Sequence, residues 1–256
     1  MPRDWEPDPS LSSPEPPSRV EHPPPTRAER VLALLEVLIC SDYPTQLALG
    51  TTIAALGYGP ASASGLSFTY VVFVSLADTV LLLALIAMFL VIRGERPSDL
   101  LLGSRRVASE VRAGASLALV ALALGVTILL VIQLVAPSLH DVPTNPLQGL
   151  IRTPRDAMVF GVVVVLAGGV REEIQRAFLL HRFERWLGGG AVGVLTTSLL
   201  FGAGHRIQGI DAAIATGLLG AFWGAIYLRR RSVVAPIVSH SGFNLLQLAQ
   251  FLALAR

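Results

Sequence analysis

Residues 157–180 read AMVFGVVVVLAGGVREEIQRAFLL, and this stretch decides the fold class. A helix that spans a membrane needs about 20 predominantly apolar residues, and this stretch is long enough to be one. It nevertheless contains four charged side chains, Arg171, Glu172, Glu173 and Arg176. Charged groups inside a bilayer are costly, and where they occur they mark a functional site by default. The stretch therefore predicts a membrane helix that carries chemistry.

The composition of the whole chain agrees with a membrane protein. Of its 256 residues, 52% are hydrophobic and 15% are charged, whereas about a quarter of the residues of a soluble domain are charged. The net charge is only +2, and the arginines lie mostly between apolar runs, where they orient a membrane protein. The expected partner is therefore the lipid bilayer, and nucleic acid is not indicated.

The apolar runs predict an all-α polytopic bundle of about seven transmembrane helices. The seven candidate spans are residues 31–56, 68–92, 113–135, 157–180, 191–205, 212–228 and 233–254. The first is interrupted by Glu36, Asp42 and Pro44, and the fifth and sixth are short, so that one of those two is a candidate broken helix.

The domain organisation is simple. Residues 1–30 are rich in proline and charge and are predicted to form a disordered cytoplasmic tail. Residues 31–256 are predicted to form the transmembrane domain. The loops after the second, fourth and sixth candidate helices are rich in arginine, and the loop 57–67 has none. The positive-inside rule therefore predicts a cytoplasmic N-terminus.

Two further polar clusters lie in apolar helices. They are Phe201 to His205 in the motif FGAGH and His240 to Asn244 in the motif HSGFN. If 188–190 is a turn between antiparallel helices, Glu172 and His205 lie at one level, about 25 Å from the turn at about 1.5 Å per residue.

His240 reaches a similar depth from the arginine-rich loop before it, and Asn244 follows one helical turn later. We therefore expect a carboxylate, two imidazoles and an amide to meet at one level. The polar end of the hairpin predicts that this level lies about 10 to 15 Å below the cytoplasmic surface.

Two chemistries suit these side chains. Glu172, His205 and His240 have the ligand types of a Zn²⁺ site with an open position for water. The same set also works without a metal, because a buried carboxylate can accept a proton from water while histidine and asparagine stabilise an oxyanion. The sequence leaves both alternatives open.

The three clusters resemble the motifs of the CAAX-protease and bacteriocin-processing (CPBP) family of intramembrane proteases, which includes the type II CAAX prenyl endopeptidases. That family shows a Glu-Glu pair followed by an arginine, then Phe-x-x-x-His, then His-x-x-x-Asn or Asp. The resemblance covers a protease core at about residues 157–251. It implies that Glu172 activates water, that Glu173 supports it, and that three further residues complete the site, namely His205, His240 and Asn244. It assigns supporting roles to Arg176 and Phe201.

One position departs from the family pattern. The family usually places its arginine five residues after the first glutamate, where this chain has Ala177, and Arg176 lies one residue earlier. A spacing of four residues favours an intrahelical pair between Arg176 and Glu172.

The predicted function is an intramembrane endopeptidase that cleaves a membrane-associated or membrane-anchored substrate near the cytoplasmic face. We expect it in a bacterial cytoplasmic membrane. The alternative is a non-catalytic scaffold or partner-binding protein that keeps the polar core for packing. Glu36, Asp42 and Asp78 are interpreted as residues at helix ends or facing a cavity.

Overall fold

The computed structural model describes residues 24–62 and 65–254. These residues form α-helices, three short 3₁₀ turns, one π-helical segment at Val164–Arg171 and a small antiparallel pair of strands, β1 (Ala61–Ser62) and β2 (Gly65–Leu66). The helices are α1 (Arg27–Ile39), α2 (Tyr43–Ala55), α3 (Phe68–Ile92), α4 (Pro97–Leu101), α5 (Val107–Val135), α6 (Pro154–Val163), α7 (Glu172–Trp186), α8 (Gly190–Gly204), α9 (Ile210–Arg230) and α10 (Val234–Leu254). The predicted all-α class is confirmed.

Three of the described helices are long and apolar enough to cross a membrane, namely α3, α5 and α9. The pair α1 and α2, bent by 44°, adds a fourth if it is counted as one span. The other predicted spans are helical, but α8 has only 15 residues and α10 carries polar residues along its length. Length and apolarity alone therefore identify three or four of the seven predicted spans among the described residues.

The first predicted span breaks where its polar residues predicted an interruption. Helix α1 begins at Arg27, because Thr26 and Glu29 form a reciprocal capping box. The break falls at Asp42, whose φ of +80° is in the left-handed region that few residues other than glycine adopt. Pro44 then occupies the first turn of α2, where its missing N–H costs nothing. Most of the predicted N-terminal tail lies outside the described residues.

Neither the fifth nor the sixth predicted span is a broken helix, and the fourth contains a π-helical segment within a continuous helix. Helix α6 continues through the π-helical segment into α7, whereas α9 is one continuous helix of 21 residues. π-Helical turns are rare and occur often at functional sites. Here the π-helical segment ends directly before Glu172.

A glycine in the π-helical segment lets α10 approach closely. A Cβ atom on Gly169 would lie 1.9 Å from the Oγ atom of Ser241 on α10, which no packing adjustment of a few tenths of an ångström would relieve. The glycine therefore brings the helix that carries His240 against the segment that precedes Glu172.

Ion pairs join the helices at the arginine-rich end of the bundle. Arg230 donates two hydrogen bonds of 2.8 Å to Glu110 on α5. In the loop after α3, burial raises the pKa of Glu95, but hydrogen bonds from His181 and Arg182 outweigh it and lower that pKa to about 2. Arg182 is fully buried and also pairs with Glu36 on α1. These pairs hold α1, α3 and α7 together.

The opposite end is closed by the loop 136–153. Its His140 Nδ1 lies 2.7 Å from Asp211 Oδ2 at the start of α9. Asn145 donates to Gln208 at 3.0 Å, between α8 and α9. This loop therefore covers the end of the bundle where α8 ends and α9 begins.

Candidate active site

The centre of the site is a buried triad of Glu173, His240 and Arg176. The Nδ1 atom of His240 lies 2.8 Å from Glu173 Oε1, and the Arg176 guanidinium donates to the same oxygen. Glu173 is only 1% exposed, and these two partners offset the cost of burying its carboxylate. Its other oxygen, Oε2, has no hydrogen-bond partner in the described part of the chain.

The side-chain contacts of Glu172 differ from those of Glu173. Its Oε1 accepts a 3.2 Å hydrogen bond from Arg171. Its Oε2 is buried and has no hydrogen-bond partner among the described residues, and it lies 3.8 Å from His240 Nε2. The arrangement therefore leaves one carboxylate oxygen free to accept a proton, directed toward an imidazole.

Trp223 on α9 holds the His240 ring. The indole stacks on the imidazole with 3.8 Å between ring centroids and 16° between planes, and it donates a 3.1 Å hydrogen bond to Ser239. Phe201 contributes an edge contact to His240 at 6.2 Å. The ring is therefore restrained on two sides. The sequence analysis missed Trp223, because one tryptophan in an apolar helix is the ordinary sign of a packed core.

His205 lies directly after α8 ends. Its Nδ1 lies 2.8 Å from the carbonyl oxygen of Phe201, one turn earlier on the same helix. An Nδ1–H that donates to this carbonyl leaves Nε2 as the free nitrogen. The Phe201 ring also packs against the imidazole at 4.7 Å, so the motif FGAGH positions its own histidine.

Asn244 lies one turn beyond His240 on α10. Its side-chain amide donates to the carbonyl oxygen of Val164 at 3.4 Å, where the π-helical segment begins. A Cβ atom on Gly168 would lie 2.7 Å from the same amide nitrogen. The π-helical segment and its glycines therefore make room for this amide.

A cavity of about 730 Å³ gathers most of the predicted site residues. The predicted residues that line it are Glu172, Phe201, His205, His240 and Asn244. Glu173 and Arg176 do not line it. Glu173 contacts the Nδ1 atom of His240, and Arg176 binds Glu173. The wall of the cavity also includes Asn145, Gln148 and Gln208, from the end of the bundle that the loop 136–153 closes.

The predicted intrahelical pair between Arg176 and Glu172 is wrong. Arg176 binds Glu173, three residues earlier, and its guanidinium lies 4.8 Å from the centre of the Phe201 ring. Glu172 is paired instead with Arg171, which the π-helical segment presents at the start of α7. The displaced arginine thus still supports the glutamate pair, through its second member.

Arg171 joins the site to the first part of the chain. Its Nη1 donates to Asp42 at the break between α1 and α2, and to Asp78 Oδ2 on α3 at 2.7 Å. Asp42 lies at a helix end and lines a cavity, as predicted, whereas Asp78 is 2% exposed and buried in this ion cluster. No sequence spacing connects these three residues, so only the fold reveals their contact.

The predicted zinc site is not preformed in the described part of the chain. Within the described residues, no group of three His, Cys, Asp or Glu side chains is arranged to hold a metal ion. His205 bonds Phe201 and His240 bonds Glu173 through Nδ1, so Nε2 is the nitrogen of each ring that a metal would use. Glu172, His205 and His240 thus line one cavity without forming a three-ligand group in the described structure.

These features define a class of protein: a helical membrane protein with a carboxylate, two imidazoles and an amide around one internal cavity. Residues 154–246 match the family model of type II CAAX prenyl endopeptidase Rce1-like proteins. Neither the curated proteins nor the solved structures contain a match to the chain. This similarity to CAAX-type intramembrane proteases covers about a third of the chain, from α6 into α10, and includes all three motifs.

Proposed function

We propose that this protein is an intramembrane endopeptidase in which Glu172 activates the water that hydrolyses a peptide bond. The observation that carries the proposal is the free Oε2 atom of Glu172, which is buried, without a hydrogen-bond partner in the described part of the chain, and 3.8 Å from His240 Nε2. A carboxylate oxygen in this state is suited to act as a general base.

The proposed reaction begins with a proton transfer. Glu172 Oε2 takes a proton from a bound water, and the water oxygen attacks the carbonyl carbon of the scissile peptide. Negative charge then develops on the carbonyl oxygen, where Asn244, on the cavity wall, is the donor proposed to stabilise it; His205, also on the wall, adds a donor at Nε2 in its imidazolium form. Collapse breaks the C–N bond, and Glu172 returns the proton to the leaving amine.

The remaining residues position His240. Glu173 fixes the imidazole through Nδ1, Arg176 keeps Glu173 ionised, and Trp223 restrains the ring plane. His240 Nε2 is thereby held toward Glu172. With Nδ1–H directed to Glu173, the neutral imidazole accepts a hydrogen bond from the attacking water at Nε2, and the imidazolium donates from Nε2 to the tetrahedral intermediate, in both cases without reorganising.

The proposed substrate is a membrane-associated or membrane-anchored protein, cut near the cytoplasmic face. This side follows from the sequence prediction for the level of Glu172. The cavity, however, extends toward the end that the loop 136–153 closes, away from the arginine-rich end. Protease protection of an N-terminal tag and of the product fragments tests the side. A cytoplasmic tag with a cut in the opposite half of the membrane would overturn the proposed side and leave the role of Glu172 intact.

The decisive experiment compares membrane-protein fragments in cells that lack the protein with cells that express wild type, Glu172→Gln or Glu184→Gln at matched levels. Glu184 is the control, because it is a partly exposed glutamate that pairs with Arg231 far from the cavity. We expect fragments with wild type and Glu184→Gln only. If Glu172→Gln instead reverses the effects of losing the protein as fully as wild type does, and no version produces fragments, the protein is a non-catalytic scaffold.

A further inference from the structure

A second cavity, of about 340 Å³, lies against the first at Glu172. Glu172, Phe201 and His205 line both cavities and so form part of a shared wall. The second cavity is bordered by the break between α1 and α2, by the start of α7 and by α8. It therefore reaches Glu172 from a different side than the first cavity does.

The second cavity has the polar lining that internal water requires. The first cavity is about twice as large, and its wall combines polar groups with large apolar side chains, among them Phe160, Leu219, Phe243 and Leu248. The second is bordered by groups that bind water and do not line the first, among them Asp42, Gln46, Arg171, Gln175 and Thr197. At about 30 Å³ per molecule, the second cavity has room for roughly ten waters. Polar partners and sufficient volume are the two conditions for stable internal water.

We propose that the second cavity is a water chamber that supplies the hydrolytic water to Glu172 while the substrate occupies the first cavity. This inference rests on the proposed proteolytic function. A peptide in the first cavity displaces the water there, yet each cleavage consumes one water molecule. Because Glu172 lines both cavities, it can receive water from one side and act on a peptide bond on the other.

Three threonines form a matched set for a kinetic test. Thr197 lines only the second cavity, Thr216 lines only the first, and Thr196 lines neither. The Thr197 hydroxyl bonds its own helix at Gly193, so replacing it with leucine removes no hydrogen bond between the described helices. Each leucine adds bulk and removes a hydroxyl, and the three variants differ in which cavity they fill.

We expect Thr197→Leu to lower kcat by about tenfold with KM unchanged, because the substrate still binds but water arrives slowly. Thr216→Leu is expected to raise KM, and Thr196→Leu to change neither constant. Kinetics are measured in proteoliposomes on a substrate identified by the fragment comparison. An unchanged kcat in Thr197→Leu, or a rise in KM matching that of Thr216→Leu, overturns the water chamber.

A labelling test does not depend on activity and so separates this inference from the proteolytic function. Thr197→Cys is exposed in proteoliposomes to a small charged methanethiosulfonate, with wild type, whose Cys40 is buried, and Thr196→Cys as controls. We expect Thr197→Cys alone to be modified. If the folded variant reacts with the uncharged reagent N-ethylmaleimide but not with the charged one, the cavity is not aqueous and the inference is overturned.

Discussion

His240 connects the two adjacent glutamates of the site. Its Nδ1 lies 2.8 Å from Glu173 Oε1, and its Nε2 lies 3.8 Å from Glu172 Oε2. Neighbouring residues on a helix point about 100° apart, so the two carboxylates enter different surroundings. Glu173 is tied to His240 and Arg176, and Glu172 keeps one oxygen free. One imidazole thus separates a carboxylate with two partners from one that keeps an oxygen free.

Glu172→Gln is expected to lower kcat by about 10²- to 10⁴-fold, the usual contribution of a general base. The amide keeps the shape of the side chain but does not accept the proton of water. The rate of peptide cleavage in proteoliposomes, with the melting temperature in detergent as a folding control, measures the effect. Cleavage at the wild-type rate by a correctly inserted variant would rule out Glu172 as the base.

Glu173→Ala is expected to destabilise the protein by about 3–5 kcal/mol, because it leaves the Arg176 guanidinium buried without its partner. The double variant Glu173→Ala with Arg176→Leu should recover a large part of that loss. Denaturant unfolding in detergent micelles gives the free energies of unfolding. If the double variant is no more stable than the single one, Arg176 is not stabilised chiefly through Glu173.

Trp223→Leu is expected to lower kcat by a larger factor than it raises KM, because the indole touches the imidazole and bonds Ser239 and also lines the first cavity. Leucine fills much of the space but neither stacks in the same way nor donates a hydrogen bond. Phe222→Leu, on the neighbouring position of α9, is the control. Equal losses in both variants would point to general packing instead of restraint of His240.

Acid should destabilise the arginine-rich end through Glu95. Its pKa in the folded protein, about 2, is below the ordinary value of 4.5, so its stabilisation is complete above about pH 4.5 and is lost as the pH falls toward 2. Glu95→Gln should therefore show a smaller fall in melting temperature between pH 6 and pH 3 than wild type. Parallel melting curves would show that Glu95 does not contribute to the acid sensitivity.

Removal of metal tests the two chemistries that the sequence left open. We expect cleavage to survive dialysis against a zinc chelator, because Glu172, His205 and His240 do not form a ligand group within the described structure. Metal content measured by mass spectrometry accompanies the assay. Loss of activity with loss of bound zinc, followed by recovery on adding zinc alone, would replace the metal-free proposal with the zinc alternative.

The sequence by itself determined the helices and predicted which motifs meet at one level. Apolar runs of membrane length require helices, because a backbone in lipid must satisfy its hydrogen bonds within the segment. The rise per residue then brought Glu172, His205 and His240 to one level before any coordinates were considered. All three line the cavity in the structure.

The tertiary structure alone decided how the side chains are paired. Within α7, Arg176 binds Glu173, and Arg171, the last residue of the π-helical segment, binds Glu172. Trp223 and Asp42 reach the site from other helices. Such contacts depend on how distant segments pack, which the local spacing of residues does not encode. For the same reason, the two cavities that meet at Glu172 could be recognised only in the folded chain.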